Sequence, residues 1–304
     1  MSTKGEKFAE AMRGTYSAIN LKDVLQSSVC PRPNEYAFAS VYDGGEIKAD
    51  LAQIKVKEAE EEKDLRRLAQ NERVFEQNAR LTSEAVEIIL AWGGEKYGWF
   101  GEGTTTIRTS KFDAVVNRAN LVIEFQHFNE EAEPQRFALS LHIATATNNE
   151  KLDEMLKQNL DKVTSKKLAE VKYFNSPTTG EKGRIENVIP VSIALEGLNA
   201  VELINSYSKL IHKTDESTKS ATETMGAHPA QKIFLLEIVL QLKVYLTKMD
   251  NSKKRDAEII SEIENILELL QTALDSMTNI DIEEISKDAA YNRISKMTGS
   301  WMKN

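Results

Sequence analysis

Residues 111–128 read KFDAVVNRANLVIEFQHF, and their alternation decides how the whole chain is read. From Asn120 to Phe128, Leu121, Ile123, Phe125 and His127 fall on one face. Asn120, Val122, Glu124, Gln126 and Phe128 fall on the other, as the two-residue period of a strand requires. Phe112 to Val116 reads as a preceding strand with Lys111, Asp113 and Val115 on one face, and Asn117 and Arg118 lie in the turn. If the hairpin turns its polar faces to the same side, Lys111, Asp113, Glu124 and Gln126 form one cluster. His127 points into the core.

Working outward, the chain before the hairpin reads as helix. From Asp50 to Trp92 there is neither glycine nor proline, and Ala, Glu, Leu, Lys, Gln and Arg predominate. Apolar positions are sparse up to Phe75 and dense afterwards. An exposed helix is therefore expected over Asp50 to Asn78, and a core helix over Thr82 to Trp92, stopped by Gly93-Gly94. Residues 1–49 form a segment of unassigned structure: Gly5 to Gln26 looks helical, CPRPN (Cys30 to Asn34) breaks it, and Tyr36 to Tyr42 reads as a short strand ending at Gly44-Gly45. Tyr97 to Thr109 reads as a strand interrupted by glycines.

Beyond the hairpin, Phe137, Leu139, Leu141 and Ile143 alternate as a further strand, Asn148 to Val163 is a helix, Asn187 to Leu195 a buried strand and Asn199 to His212 a helix. This places an α/β core over residues 50–212, a polar linker over 213–228 and a helical subdomain over 229–304. In that last part Leu235, Val239, Leu242, Leu246 and Met249 alternate by fours and threes. Ile260, Ile263, Leu267, Leu270, Leu274 and Met277 repeat the spacing, so a helical hairpin with coiled-coil seams is expected. Those seams serve either each other or a homodimer.

Composition narrows the chemistry. The 304 residues are 41% hydrophobic and 28% charged, which is ordinary for a globular chain, and no apolar run approaches the ~20 residues that span a bilayer. A cytoplasmic protein without a membrane partner is expected. One cysteine and four histidines cannot build a zinc framework, so a metal would take oxygen ligands, as Mg2+ or Mn2+ does. There is no Walker A sequence, dinucleotide glycine fingerprint or Gly-x-Ser-x-Gly elbow. A net charge of −8 argues against indiscriminate nucleic-acid coating. Locally, however, Lys157 to Arg184 holds seven basic and three acidic residues, a net +4, including Lys162, Lys166, Lys167, Lys172, Lys182 and Arg184. This island is either a phosphate-contacting surface or a solvated helix face followed by a loop.

Metal-assisted phosphodiester cleavage needs oxygen ligands for the cation and a group to orient water. Asp113, Glu124 and Gln126, within a helix–strand–strand–strand order over Thr82 to Leu195, resemble the PD-(D/E)XK nuclease superfamily in its Glu-x-Gln form. The resemblance implies a restriction-endonuclease-like mixed sheet flanked by helices, with Asp113 and Glu124 binding Mg2+ and Gln126 where lysine usually stands. Lys111 is the candidate for the missing charge. Glu84, rather than Glu87, is favoured as the helix glutamate that the family often carries. The function implied is a metal-dependent DNA endonuclease of restriction or antiviral defence type, alone or held by a helicase or sensor partner. The extra strand at Phe137 to Ile143 departs from the family, where the glutamate strand crosses directly to the helix. The competing readings are a non-enzymatic interaction module and an inactivated nuclease fold acting in an assembly or on nucleic acid.

Overall fold

A computed structural model describes residues 20–27, 30–125, 135–144, 149–212, 223–250, 256–277, 285 and 287–303. After a short helix α1 (Asn20–Gln26), a 3-10 turn occupies Glu35–Phe38, where a strand was expected. Gly44-Gly45 begins a helix rather than ending a strand. The Asp43 carboxylate caps α2 (Gly44–Arg67) by accepting from Gly45 N and Glu46 N. The chain breaks at Leu68-Ala69, and α3 (Gln70–Tyr97) then runs straight through Gly93-Gly94. That pair is not a stop. An added Cβ at Gly94 would lie 1.9 Å from Thr106 Oγ1, so the glycine lets α3 press against the sheet. The helix ends instead at Gly98, in the left-handed conformation.

The strands are β1 (Thr104–Arg108), β2 (Leu121–Phe125) and β3 (Gln135–Ala144), then, after helix α4 (Asn149–Thr164), β4 (Ala169–Asn175) and β5 (Lys182–Glu196). Their order is β1-β2-β3-β5-β4, with β3 and β5 parallel and the other pairs antiparallel. The sheet is strongly curled. In a flat sheet β4 would stand three strand spacings, roughly 14 Å, from β2. Yet Ser176, just beyond β4, donates to Glu124 of β2 at 2.7 Å, and Thr105 of β1 and Thr178 of the β4–β5 turn are hydroxyl to hydroxyl at 2.9 Å. Curling encloses Val122, Ala138, Val171, Phe174, Ile185 and Val188 as a small second core.

The expected strand Phe112 to Val116 is not one. Residues Asp113–Asn117 form a single π-helical turn, closed by Arg118 in the left-handed region, and β2 pairs with β1 instead. The other face of the sheet, with Leu121, Ile123, Phe125, Phe137, Ile189, Val191 and Ile193, packs on α3, α5 (Gly197–Ile211) and the C-terminal helices in one cluster.

Those helices are α6 (Pro229–Asp250), α7 (Ala257–Ser276) and α8 (Ala289–Lys303). The α6 seam is buried within this chain: Leu235, Val239, Leu242 and Met249 belong to the same cluster as the sheet, as do Ile263, Leu270 and Leu274 of α7. An apolar helix surrounded on nearly all sides is a core element. α6 also completes β5. Beyond Val188 that strand has β3 on one side only, and α6 lies along the other. Tyr245 donates to Pro190 O (3.0 Å), Gln241 accepts from Ser192 N (2.9 Å) and donates to Ser192 O, and Glu237 accepts from Ala194 N (2.8 Å). Four helical residues rise ~6 Å and two strand residues ~6.6 Å, so side chains at every fourth position match every second strand residue. Pro190, which has no N–H, sits where only a carbonyl is needed. The residues on either side of the expected 213–228 linker thus meet in one core; 213–222 lie outside the described residues.

Candidate functional site

Asp113 begins with its neighbours. Ser110 Oγ accepts from Asp113 N and donates to Oδ2 (2.9 Å), while Asn117 Nδ2 donates to Oδ1 (2.8 Å). The carboxylate then reaches β4, whose register shifts between Val171 and Phe174, and takes Lys172 N on Oδ1 (2.7 Å) and Tyr173 N on Oδ2 (2.9 Å). Asp113 is fully buried; burial pushes its carboxyl up from the ordinary value, and these four donors offset part of that. The turn that carries it plugs two amides on the outer edge of β4.

Glu124 occupies a different place. It is fully buried on the enclosed face of the curled sheet, where Arg136 Nε, its cross-strand neighbour on β3, donates to Oε2 (2.7 Å) and Ser176 Oγ to Oε1 (2.7 Å). The Arg136 guanidinium lies 4.9 Å from the Phe174 ring centroid and pairs with Glu181 at the rim (2.7 Å). The two acids therefore engage β4 at residues 172–173 and just past its end at 176, three to four residues or roughly 10 Å apart. Carboxylates sharing one cation at ~2–2.6 Å each must be far closer.

The remaining expected site residues disperse further. Lys111 pairs with Glu58 of α2 (2.6 Å), both about half exposed. Glu84 is half exposed, 3.7 Å from Arg108, while the buried glutamate of α3 is Glu87, which Arg32, Arg108 and Asn120 (2.9 Å) all approach. Crowded by burial, the Arg32 guanidinium is lowered below its usual range, with Glu87 opposing the shift. Gln126 and His127 lie outside the described residues. Among the described residues, no three His, Cys, Asp or Glu side chains are grouped to hold a metal ion.

The basic island is divided as well. Part of it is the strand β4, not a loop. Lys172 is 5% exposed, its ammonium bonded to Asp50 and Glu46 and ringed by Tyr42, Phe112 and Tyr173, so it cannot reach a phosphate. Lys182 donates to Ala37 O over the Phe38 ring, Arg184 pairs with Glu170, and Lys166 pairs with Asp256. Lys162 is partly buried, which lowers its ammonium, and Lys167 is exposed. Arg136, Ser176 and the Glu237–Gln241–Tyr245 ladder were not anticipated. The ladder had a signal: polar residues four apart in an otherwise apolar helix.

Among the described residues, no helix is long and apolar enough to cross a membrane. Comparison with known proteins finds no matching family model, no matching curated protein and no matching solved structure.

Proposed function

We propose that this chain is a non-catalytic assembly module, an inactivated restriction-endonuclease-like fold whose acids serve as scaffold. Support for the fold comes from the order of α3, antiparallel β1-β2, α4 and a later parallel strand, β5; β3 and β4 stand outside the order that the resemblance implies. The observation that carries the function is that Asp113 and Glu124 spend every carboxylate oxygen on protein donors, at separate positions along β4.

The surface offered to a partner protein is the far half of α2. Between Ile54 and Leu65 none of its residues is buried, and Val56 is 57% exposed. A helix that is polar on all sides either bridges to another body or is held by charge pairs between its own turns. This one has Lys57–Glu60, Arg66–Glu62 and Arg67–Asp64, so the docking role rests on its exposure alone.

The test is incubation of the purified chain with supercoiled, linear and single-stranded DNA and with RNA, with and without Mg2+ or Mn2+, alongside thermal melts in the same cations. The expected result is no cleavage and no cation-dependent rise in Tm. Cation-dependent cleavage that disappears in a folded Glu124→Gln variant would instead establish the metal-dependent DNA endonuclease, with Asp113 and Glu124 rearranged around the ion.

A further inference from the structure

The last rung of the α6 ladder is a carboxyl group sealed off from water. Glu237 has no exposed surface. Its Oε2 accepts from Ala194 N at 2.8 Å, and its Oε1 has no hydrogen-bond partner among the described residues. Two more acids lie close by, and both hold the start of α8. Asp288 accepts from Ala290 N (2.8 Å) and Tyr291 N (2.9 Å) with Oδ1, and from Glu196 N (3.1 Å) and Asn199 Nδ2 (2.6 Å) with Oδ2. Glu196 Oε2 accepts from Ala289 N at 3.1 Å. Three successive amides at the positive end of the α8 dipole are thus taken by two carboxylates.

Asp288, with four donors, is built to carry a negative charge. Glu237, with one donor and one bare oxygen, is not: an ionised carboxylate there would be desolvated, half unsatisfied and beside a like charge. We propose that Glu237 is the proton-dependent latch of the C-terminal helix: protonated, it holds α6 to β5 with α8 strapped across both, and on ionisation it releases the strap.

The groups facing it define the switch. The start of α8 presents Asp288 and Tyr291 to it; Glu196, at the end of β5, acts on Asp288 instead, and Asp153 of α4 is paired with Arg293 of α8. Among the described residues, no charged side chain of α7 acts on the Glu237 carboxyl. No cation among these groups neutralises Glu237: Arg293 is spent on Asp153. Burial first, and Asp288 second, push the Glu237 carboxyl well above its ordinary range. Because the folded value is raised, its stabilising contribution is full below the ordinary value of 4.5, is lost as pH rises toward the folded value, and gives way to ionisation and release above it. The strap itself is held by Leu152, Leu156, Ala194, Ala290 and Ile294, a small cluster that local unlatching can open without global unfolding.

The experiment is hydrogen exchange read by mass spectrometry on the full chain across pH 5 to 10, corrected for intrinsic rates, in the parent and in Glu237→Gln. The amide mimics the protonated acid. In the parent, peptides covering residues 289–303 and 190–196 are expected to lose protection by tenfold or more as pH rises, while those of α3 do not. Glu237→Gln should keep its protection flat over the same range. Equal loss in both proteins, or loss spread evenly over the chain, overturns the proposal. If the variant does not fold, infrared titration of the parent decides: a buried carboxylic-acid band persisting at neutral pH and vanishing in step with the exchange supports the latch, and its absence at neutral pH refutes it.

Discussion

Replacing Asp113 by asparagine separates a structural acid from a catalytic one. The change keeps shape and volume, but one carboxylate oxygen becomes an N–H2 donor. If the amide oxygen stays on Lys172 N and Asn117, the new donor meets the Tyr173 N–H head on, at a position that the carboxylate held at 2.9 Å. The Ser110 hydroxyl can turn and accept, so its bond survives in reverse. A buried backbone amide left without an acceptor costs ~1–3 kcal/mol, and the lost charge-assisted bonds roughly 1.5 more each. Removing a buried charge returns part of this, since burial already works against the ionised Asp113. The sum is a loss of about 3 kcal/mol. At ~2.1 cal/mol/K per residue of unfolding entropy, a chain of this size loses about 5 °C in Tm. Urea unfolding followed by circular dichroism, with thermal melts beside it, measures both. A catalytic acid held in an unfavourable site behaves in the opposite way, because its removal commonly relieves strain. Asp113→Asn as stable as the parent, or more so, would refute the structural assignment.

Three further outcomes follow from other contacts. Glu124→Ala removes the buried partner of Arg136, leaving it only Glu181 at the rim, and is expected to lose ~3 kcal/mol, whereas the joint change Glu124→Leu with Arg136→Met recovers most of it in urea titrations. Gly94→Ala drives a methyl group into Thr106 and is expected to cost about 3 kcal/mol by the same assay, with Thr106→Gly restoring part of it. His228, whose Nδ1 accepts from Ala230 N at the start of α6, is pushed by burial down to about 4. Since the folded value is depressed, stability is present above about 6.5 and lost as pH falls toward 4, by up to ~3 kcal/mol, and His228→Asn should flatten that window in urea stability measured against pH.

Much of the architecture was legible because it rests on periodicity. The alternation of Leu121, Ile123 and Phe125, the strands around Phe137 and Val191, and the helices over 149–164 and 197–211 follow from which faces must be buried. Asp113 was misplaced because Ala114, Val115 and Val116 look like strand residues, and the local signal against that was small: Ser110 three residues before Asp113 is the spacing of a helical cap. AEVKYFN at β4 alternates, but its lysine and glutamate read as surface until Asp50 and Glu46 arrive from over a hundred residues upstream to neutralise Lys172. Curling of the sheet is a tertiary property, and it alone converts the face of Glu124 from solvated to sealed. That residues of 229–304 would pack on the sheet was not legible, because a coiled-coil seam and a core-facing stripe have the same spacing.

The side-chain ladder of α6 along β5 also bears on the order in which the chain is made. A ribosome releases β5 some forty residues before the helix that satisfies Ser192, Ala194 and the carbonyl of Pro190. Until then the strand offers bare amides and a greasy face carrying Val191, Ile193 and Leu195, just what a chaperone grips or a neighbouring nascent chain adheres to. A gene cut between the codons for residues 213 and 228 should for that reason yield insoluble product, and supplying residues 223–303 in trans during synthesis should bring it back into solution.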